Sequence, residues 1–200
     1  MSSDGYQLRR VCVFCGSSFG ARASYREAAR VVADLLVDQG IDLVYGGSSV
    51  GLMTVVADTV LARGGRVEGI ITRHLADHEI AHEGLSRLHV VDSMAERTGL
   101  MAELSDGFLV LPGGLGTLDE LFEMVVRAQL GLQHKPVGLL DVDGYFAHLQ
   151  AFLHHAVDER LVKSENLELL VFDTDPERLL DRMRAFDPPQ VEKWLDLPDG

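Results

Sequence analysis

The sequence predicts an α/β protein with a Rossmann-like, doubly wound parallel sheet and helices on both faces, folded as one domain over residues 1–186. Three observations predict it. Short apolar runs alternate along the chain with stretches of helical apolar periodicity, the pattern of strands joined by crossover helices. Three of those runs end in glycine-rich loops that open into a helix, as happens where strand ends meet a ligand. The 200 residues are 46% hydrophobic without a long biased segment, enough for one sizeable core.

The elements follow in order. Arg10 to Cys15 reads as a strand that ends in Gly16-Ser17-Ser18. Ser24 heads an amphipathic helix of about 16 residues, with Tyr25, Ala28, Ala29, Val32, Leu35 and Leu36 on its apolar stripe and Gly40 closing it. Ile41 to Tyr45 is a second strand, running into Gly46-Gly47-Ser48-Ser49 and a helix over Thr54 to Ala62. Arg66 to Ile71 is a third strand, Thr72 to Ser86 is polar and irregular, and Arg87 to Val91 is a fourth strand before a helix over Ser93 to Leu104. The central strand ends at Leu109-Val110-Leu111 and leads into a helix over Leu118 to Leu130. Val137 to Leu140, a helix over Tyr145 to Glu159, a strand over Leu167 to Phe172 and a helix from Pro176 to Ala185 complete the domain. The tail over 187–200 carries three prolines and Trp194 without periodicity, and is expected to pack loosely.

The richest stretch is Pro112-Gly113-Gly114-Leu115-Gly116-Thr117-Leu118-Asp119-Glu120. Its glycines allow a tight turn and close approach of an anion, while the free N–H groups of the following helix point at that anion. Two roles are open for Glu120. Thr117 and Glu120 match the T-x-x-E capping box, in which the glutamate bonds back to the Thr117 N–H. Alternatively its carboxylate does chemistry.

Gly16-Ser17-Ser18, Gly46-Gly47-Ser48-Ser49 and Gly113 to Thr117 would meet beyond the carboxyl ends of the strands, where together they suit a nucleotide. The spacing is not that of a dinucleotide fingerprint, since the first loop runs Gly16-x-x-x-Gly20 and no strand-end acid follows at the required distance. A formal net charge of −13 disfavours a nucleic acid as partner. No apolar run approaches a membrane span and Met1 to Arg10 lacks the apolar region of a signal peptide, so a cytoplasmic protein without membrane contact is expected.

Pro112 to Glu120, the preceding Ser105-Asp106-Gly107-Phe108, Met94-x-Glu96-Arg97, and Gln129-Leu130-Gly131 with Lys135 to Leu140 resemble the LOG (lonely guy) family. These are cytokinin riboside 5'-monophosphate phosphoribohydrolases, long mislabelled lysine decarboxylases. The resemblance runs from about Val11 to Ala185. It implies hydrolysis of the N-glycosidic bond of a nucleoside 5'-monophosphate, releasing the base and ribose 5-phosphate, without cofactor or metal, by a homodimer or larger oligomer. It also implies Glu120 and Arg97 as the catalytic pair. Substrate and phosphate contacts are expected from Gly16, Ser17, Gly46, Gly47, Glu79, Thr98, Gly113, Gly114, Leu115, Gly116, Thr117 and Asp119. A carboxylate beside C1' fits the chemistry, because cleaving a ribosyl C–N bond builds positive charge on the sugar. Arg97 would hold the phosphate or ribose, or keep Glu120 ionised.

The chain departs from the family pattern at several places. Ala95 and Thr98 stand where the family has histidine and lysine, Ser48 and Thr54 replace glycines, and Val126 replaces the threonine usual in plant members. Thr98 offers a hydroxyl to a phosphate but no charge.

Other readings compete. His78-Glu79-Ile80-Ala81-His82 matches the H-E-x-x-H of zinc hydrolases, with His89 or Glu96 as third ligand. Cys12 and Cys15 have redox spacing, but a strand is the wrong place for it and buried thiols are expected. None of Lys135, Lys163 and Lys193 lies in a glycine loop, which leaves a decarboxylase without its Schiff-base lysine. A nucleotide carrier or sensor would carry the same loops without turnover. Finally, Leu118 to Leu130 is apolar nearly all round, which predicts a helix buried either in a large core or at a subunit contact, and a dimer interface near the site.

Overall fold

The computed structural model describes residues 7–78 and 81–189. Seven strands form one parallel sheet: β1 (Arg10–Phe14), β2 (Asp42–Tyr45), β3 (Val67–Thr72), β4 (Arg87–Val91), β5 (Gly107–Val110), β6 (Val137–Leu140) and β7 (Leu170–Asp173). Their spatial order is β4-β3-β2-β1-β5-β6-β7. The order reverses between β1 and β5, which pair in parallel from Val11 opposite Gly107 to Phe14 opposite Val110. That reversal opens a crevice at the carboxyl ends of these two strands.

The helices are α1 (Ala23–Asp38), α2 (Gly51–Ala62), α3 (Arg73–His78), α4 (Met94–Leu104), α5 (Leu115–Gln129), α6 (Ala147–Asp158) and α7 (Pro176–Arg184). Residues of β1 alternate between the two faces, as the strand period requires. Val11 and Val13 join the layer under α1, α2 and α7, and Cys12 and Phe14 the layer under α4, α5 and α6. Phe14 stacks on Phe108 of β5 in the second layer. With both faces covered, the central strands are apolar and buried after their first residues, Arg10 of β1 and Asp42 of β2, rather than alternating.

The elements match the expected ones in kind, with shifted boundaries. The segment expected to be irregular contains α3, and Ala81 forms an antiparallel bridge to Ser48. The start of the expected last strand is a 3-10 turn, Ser164–Leu169, so β7 begins at Leu170. One correction matters for function: α5 begins at Leu115 with Gly114 as its N-cap, so Thr117 is inside the first turn and caps nothing. Within this single chain α5 buries Leu121 and Met124, while Val126, at 47%, and Asp119 are exposed. Residues 190–200, Trp194 among them, lie outside the described residues, as do Glu79 and Ile80. Among the described residues no helix is long and apolar enough to cross a membrane.

Candidate active site

The crevice at the sheet reversal is walled by backbone. The Gly16 N–H donates to the Pro112 carbonyl at 3.1 Å, and the Gly16 carbonyl accepts from the Leu52 N–H at 2.9 Å. These two bonds tie the loop after β1 to the loop after β5 and to the start of α2. Gly113 packs so tightly that a Cβ there would lie 2.1 Å from Thr117 Oγ1 and 2.9 Å from the Gly16 nitrogen. Only glycine fits. Thr117 is buried beneath this loop, whereas Gly114, Leu115 and Gly116 are exposed on it and Ser17 is exposed across from it. No side chain caps α5, so its first N–H groups have no side-chain partner at the cap, a start of the kind that can bind an anion.

Glu120 lies five residues further along. At 1.5 Å per residue it stands about 7.5 Å down the axis from Leu115, the scale of a ribose phosphate. Its carboxylate does not turn back to the backbone. It accepts from Arg97 Nη1 at 2.8 Å, and both residues are buried, at 7% exposure each. Arg97 comes from α4, and its Nε donates to the Ile70 carbonyl of β3 at 3.1 Å. The other side of the guanidinium faces the second glycine loop, where a Cβ at Gly46 would lie 2.5 Å from Nη2. Arg97 is therefore fixed by a carbonyl, a carboxylate and a glycine.

Burial pushes the Glu120 carboxyl above its ordinary value. The charge and hydrogen bond of Arg97 pull it down, while Asp119 and Glu123 push it up further; burial wins and the net shift is upward. The same carboxylate and burial raise the Cys15 thiol, and burial raises the Cys12 thiol. Both cysteines are buried free thiols.

The expected residues thus fall into groups. Arg97, Glu120 and Gly46 meet at one point, and Gly16, Gly113 and Thr117 at another. One expected contact looks elsewhere: the Thr98 hydroxyl, buried, donates back to the Met94 carbonyl at 3.0 Å; Asp119 is exposed beside Glu120. A β-branched threonine in mid-helix satisfies its hydroxyl on its own backbone, which turns it away from a phosphate. Glu79 lies outside the described residues. His82 has both ring nitrogens engaged, Nε2 with Asp58 at 2.8 Å and Nδ1 with the Gly84 N–H at 3.1 Å, which leaves neither for zinc. Sequence reasoning missed Tyr145, whose hydroxyl donates to the Gly113 carbonyl. With Phe19 and Tyr25 it lines a cavity of about 230 Å³ beside the first and third loops. No sequence signal marks it, since a tyrosine after a turn gains this role only through the fold.

With this geometry in view, the comparisons with known proteins decide the family. A family model described as "Possible lysine decarboxylase" matches residues 53–183. A cytokinin riboside 5'-monophosphate phosphoribohydrolase of Arabidopsis thaliana is 46% identical over 182 residues, covering 91% of this chain and 80% of the relative. The chain belongs to the LOG family. A second Arabidopsis thaliana member of the same name is 43% identical over 182 residues, covering 91% of this chain and 84% of the relative. Among solved structures, the molybdenum cofactor binding protein of Rippkaea orientalis superposes with a TM-score of 0.66 at 20% identity, over 90% of this chain and 97% of that one. The molybdenum cofactor carrier protein of Chlamydomonas reinhardtii does so with 0.66 at 17% identity, over 90% and 100%. At such identities the LOG chain shares their fold alone.

Proposed function

We propose that this LOG-family chain hydrolyses the N-glycosidic bond of adenosine 5'-monophosphates, N6-modified or not, to free base and ribose 5-phosphate. The observation that carries the proposal is the buried Arg97–Glu120 pair set one ribose phosphate's length from the uncapped start of α5. The 5'-phosphate binds at the N–H groups of Leu115, Gly116 and Thr117, and the anion is stabilised by the helix dipole. C1' then lies at Glu120. As the C1'–N bond lengthens, its electron pair leaves with the base and positive charge grows on the sugar, which the carboxylate stabilises. Water adds its oxygen to C1' and gives a proton to Glu120, which passes it to the departing base nitrogen. Arg97 holds the carboxylate in place and favours its ionised form against burial.

The test is incubation of the purified protein with AMP and with isopentenyladenosine monophosphate, following free base by chromatography. Release from both nucleotides and not from the corresponding nucleosides is expected. Equal rates on the nucleosides would overturn a phosphate-anchored mechanism, and tight nucleotide binding without turnover would make the protein a carrier or sensor.

Beside this site, α5 exposes Val126 at 47% and Leu115 at 87%, while Leu118 and Phe122 are half-buried against the core. A second copy covering this face makes a homodimer with the active site close to its interface. Light scattering at micromolar concentration checks it, and a monomer would count against it. The buried free thiols suit a reducing compartment, in keeping with a cytoplasmic enzyme.

A further inference from the structure

The His78 to His82 motif has a use that zinc does not explain. At Ala81 and His82 the chain lies across the second glycine loop. Ser48 and Ala81 form an antiparallel bridge, and the His82 N–H donates to the Gly47 carbonyl at 3.1 Å. The His82 ring then clamps the strap on both sides. Its Nδ1 accepts from the Gly84 N–H at 3.1 Å, which leaves the proton on Nε2, and Nε2 meets Asp58 Oδ1 of α2 at 2.8 Å. The histidine side chain is 12% exposed and the aspartate 60%. α2 is the helix that the second glycine loop opens into, so the clamp closes a ring: loop, α2, Asp58, His82 and back to the loop.

We infer that Asp58 and His82 are a positioning pair that fixes the Gly46–Gly47 loop for nucleotide binding. The inference rests on the proposed function, in which this loop walls the substrate beside Arg97. The pair acts through the loop and touches no reacting atom. Arg97 keeps two anchors of its own, the Ile70 carbonyl and Glu120, so loosening the loop should weaken binding more than the chemical step.

The test is a mutant cycle of His82→Ala, Asp58→Ala and the double variant, read by KM and kcat on AMP and by hydrogen exchange of the loop amides. Each single variant should raise KM by about five- to twenty-fold with kcat within about threefold, as expected for losing one charge-assisted bond. The double variant should be no worse than His82→Ala, because the Asp58 contact is already lost there together with the Gly84 bond. His82→Gln, which can still offer an N–H to Asp58, should recover most of the KM. Exchange of the 46–49 amides should rise in the alanine variants. KM within twofold with unchanged exchange, or effects that multiply in the double variant, would overturn the inference. Should His82→Ala fail to fold, Asp58→Ala, at a helix position whose side chain is 60% exposed, breaks the same contact and gives the same readouts. If the parent hydrolyses no nucleotide, the functional reading fails, while exchange at 46–49 still decides whether the pair fixes the loop.

Discussion

α4 and α5 lie side by side on the same face of the sheet, each follows a strand, and each starts near a hydroxyl-x-x-Glu signature, yet they begin in opposite ways. At α4, Ser93 Oγ accepts the Glu96 N–H at 3.1 Å and Glu96 accepts the Asp92 N–H at 3.0 Å, so side chains satisfy the helix start. At α5, Thr117 and Glu120 have the same spacing, but the helix has already begun at Leu115 and no side chain caps it. The glutamate of α4 serves its own helix, whereas the glutamate of α5 crosses to Arg97 on α4. An open start alone is common here, since α1, α2 and α6 also lack a side-chain cap; what sets α5 apart is that its open start adjoins the glycine-walled crevice and that its T-x-x-E acid is turned from capping to Arg97.

The largest effect expected from breaking this contrast is at Glu120. Glu120→Gln keeps the shape and an acceptor for Arg97 but loses the charge and the proton-accepting function, so kcat should fall by about two to four orders of magnitude. Stability should fall by about 1–3 kcal/mol, since Arg97 stays hydrogen-bonded but is no longer neutralised. Steady-state kinetics and thermal melts check both. A Gln variant with near wild-type kcat would return Glu120 to a structural role.

The next effect comes from closing α5 as α4 is closed. Gly114 has open space around its missing Cβ and extended backbone at the N-cap, so Gly114→Asp is tolerated and can accept an N–H of the first turn. Its carboxylate would take the place of the phosphate and repel it. KM for AMP should rise by about ten- to a hundred-fold while the melt holds or improves by a few tenths of a kcal/mol. Unchanged KM would show that the phosphate binds elsewhere.

A smaller effect concerns pH. Only ionised Glu120 stabilises a cationic sugar or takes a proton, and its carboxyl is shifted above the ordinary 4.5 by burial. Activity should therefore be full well above the shifted value and drop about tenfold per pH unit below it. The acid limb of kcat/KM should lie above pH 4.5, and a limb below it would mean that Arg97 outweighs burial.

How much of this was legible in the sequence follows from what each feature depends on. The strands announced themselves as apolar runs because both faces of a parallel sheet are buried, and α1 through its apolar stripe and Gly40. The start of α5 was hidden, because Gly-Leu-Gly reads as loop until the packing of Gly113 on Thr117 shows otherwise. The apolar composition of α5 does not say which residues meet the core: Leu121 and Met124 are fully buried and Phe122 packs half-buried against them, while Val126 is left exposed by this chain. Arg97 and Glu120 were named from the motif, while their bond spans 23 residues and follows from no local rule. The H-E-x-x-H match misled because its second histidine is spent on Asp58, a residue 24 positions earlier.

The smallest effect is expected at the capped helix. Ser93→Ala removes the side-chain acceptor of the Glu96 N–H and should cost about 1 kcal/mol of stability. Its effect on turnover is a sharper matter, because the Arg97 N–H bonds to the Ser93 carbonyl at 3.1 Å and a loosened first turn could shift Arg97. Against that, the backbone carbonyl survives the substitution, and the guanidinium is held by Ile70 and Glu120 rather than by the cap. Two anchors on the sheet and on α5 outweigh a frayed turn, so kcat and KM should stay within about twofold of the parent. A tenfold loss in kcat/KM with a folded variant would mean that the start of α4 positions Arg97, and that the two helix starts differ less in function than in how they are capped.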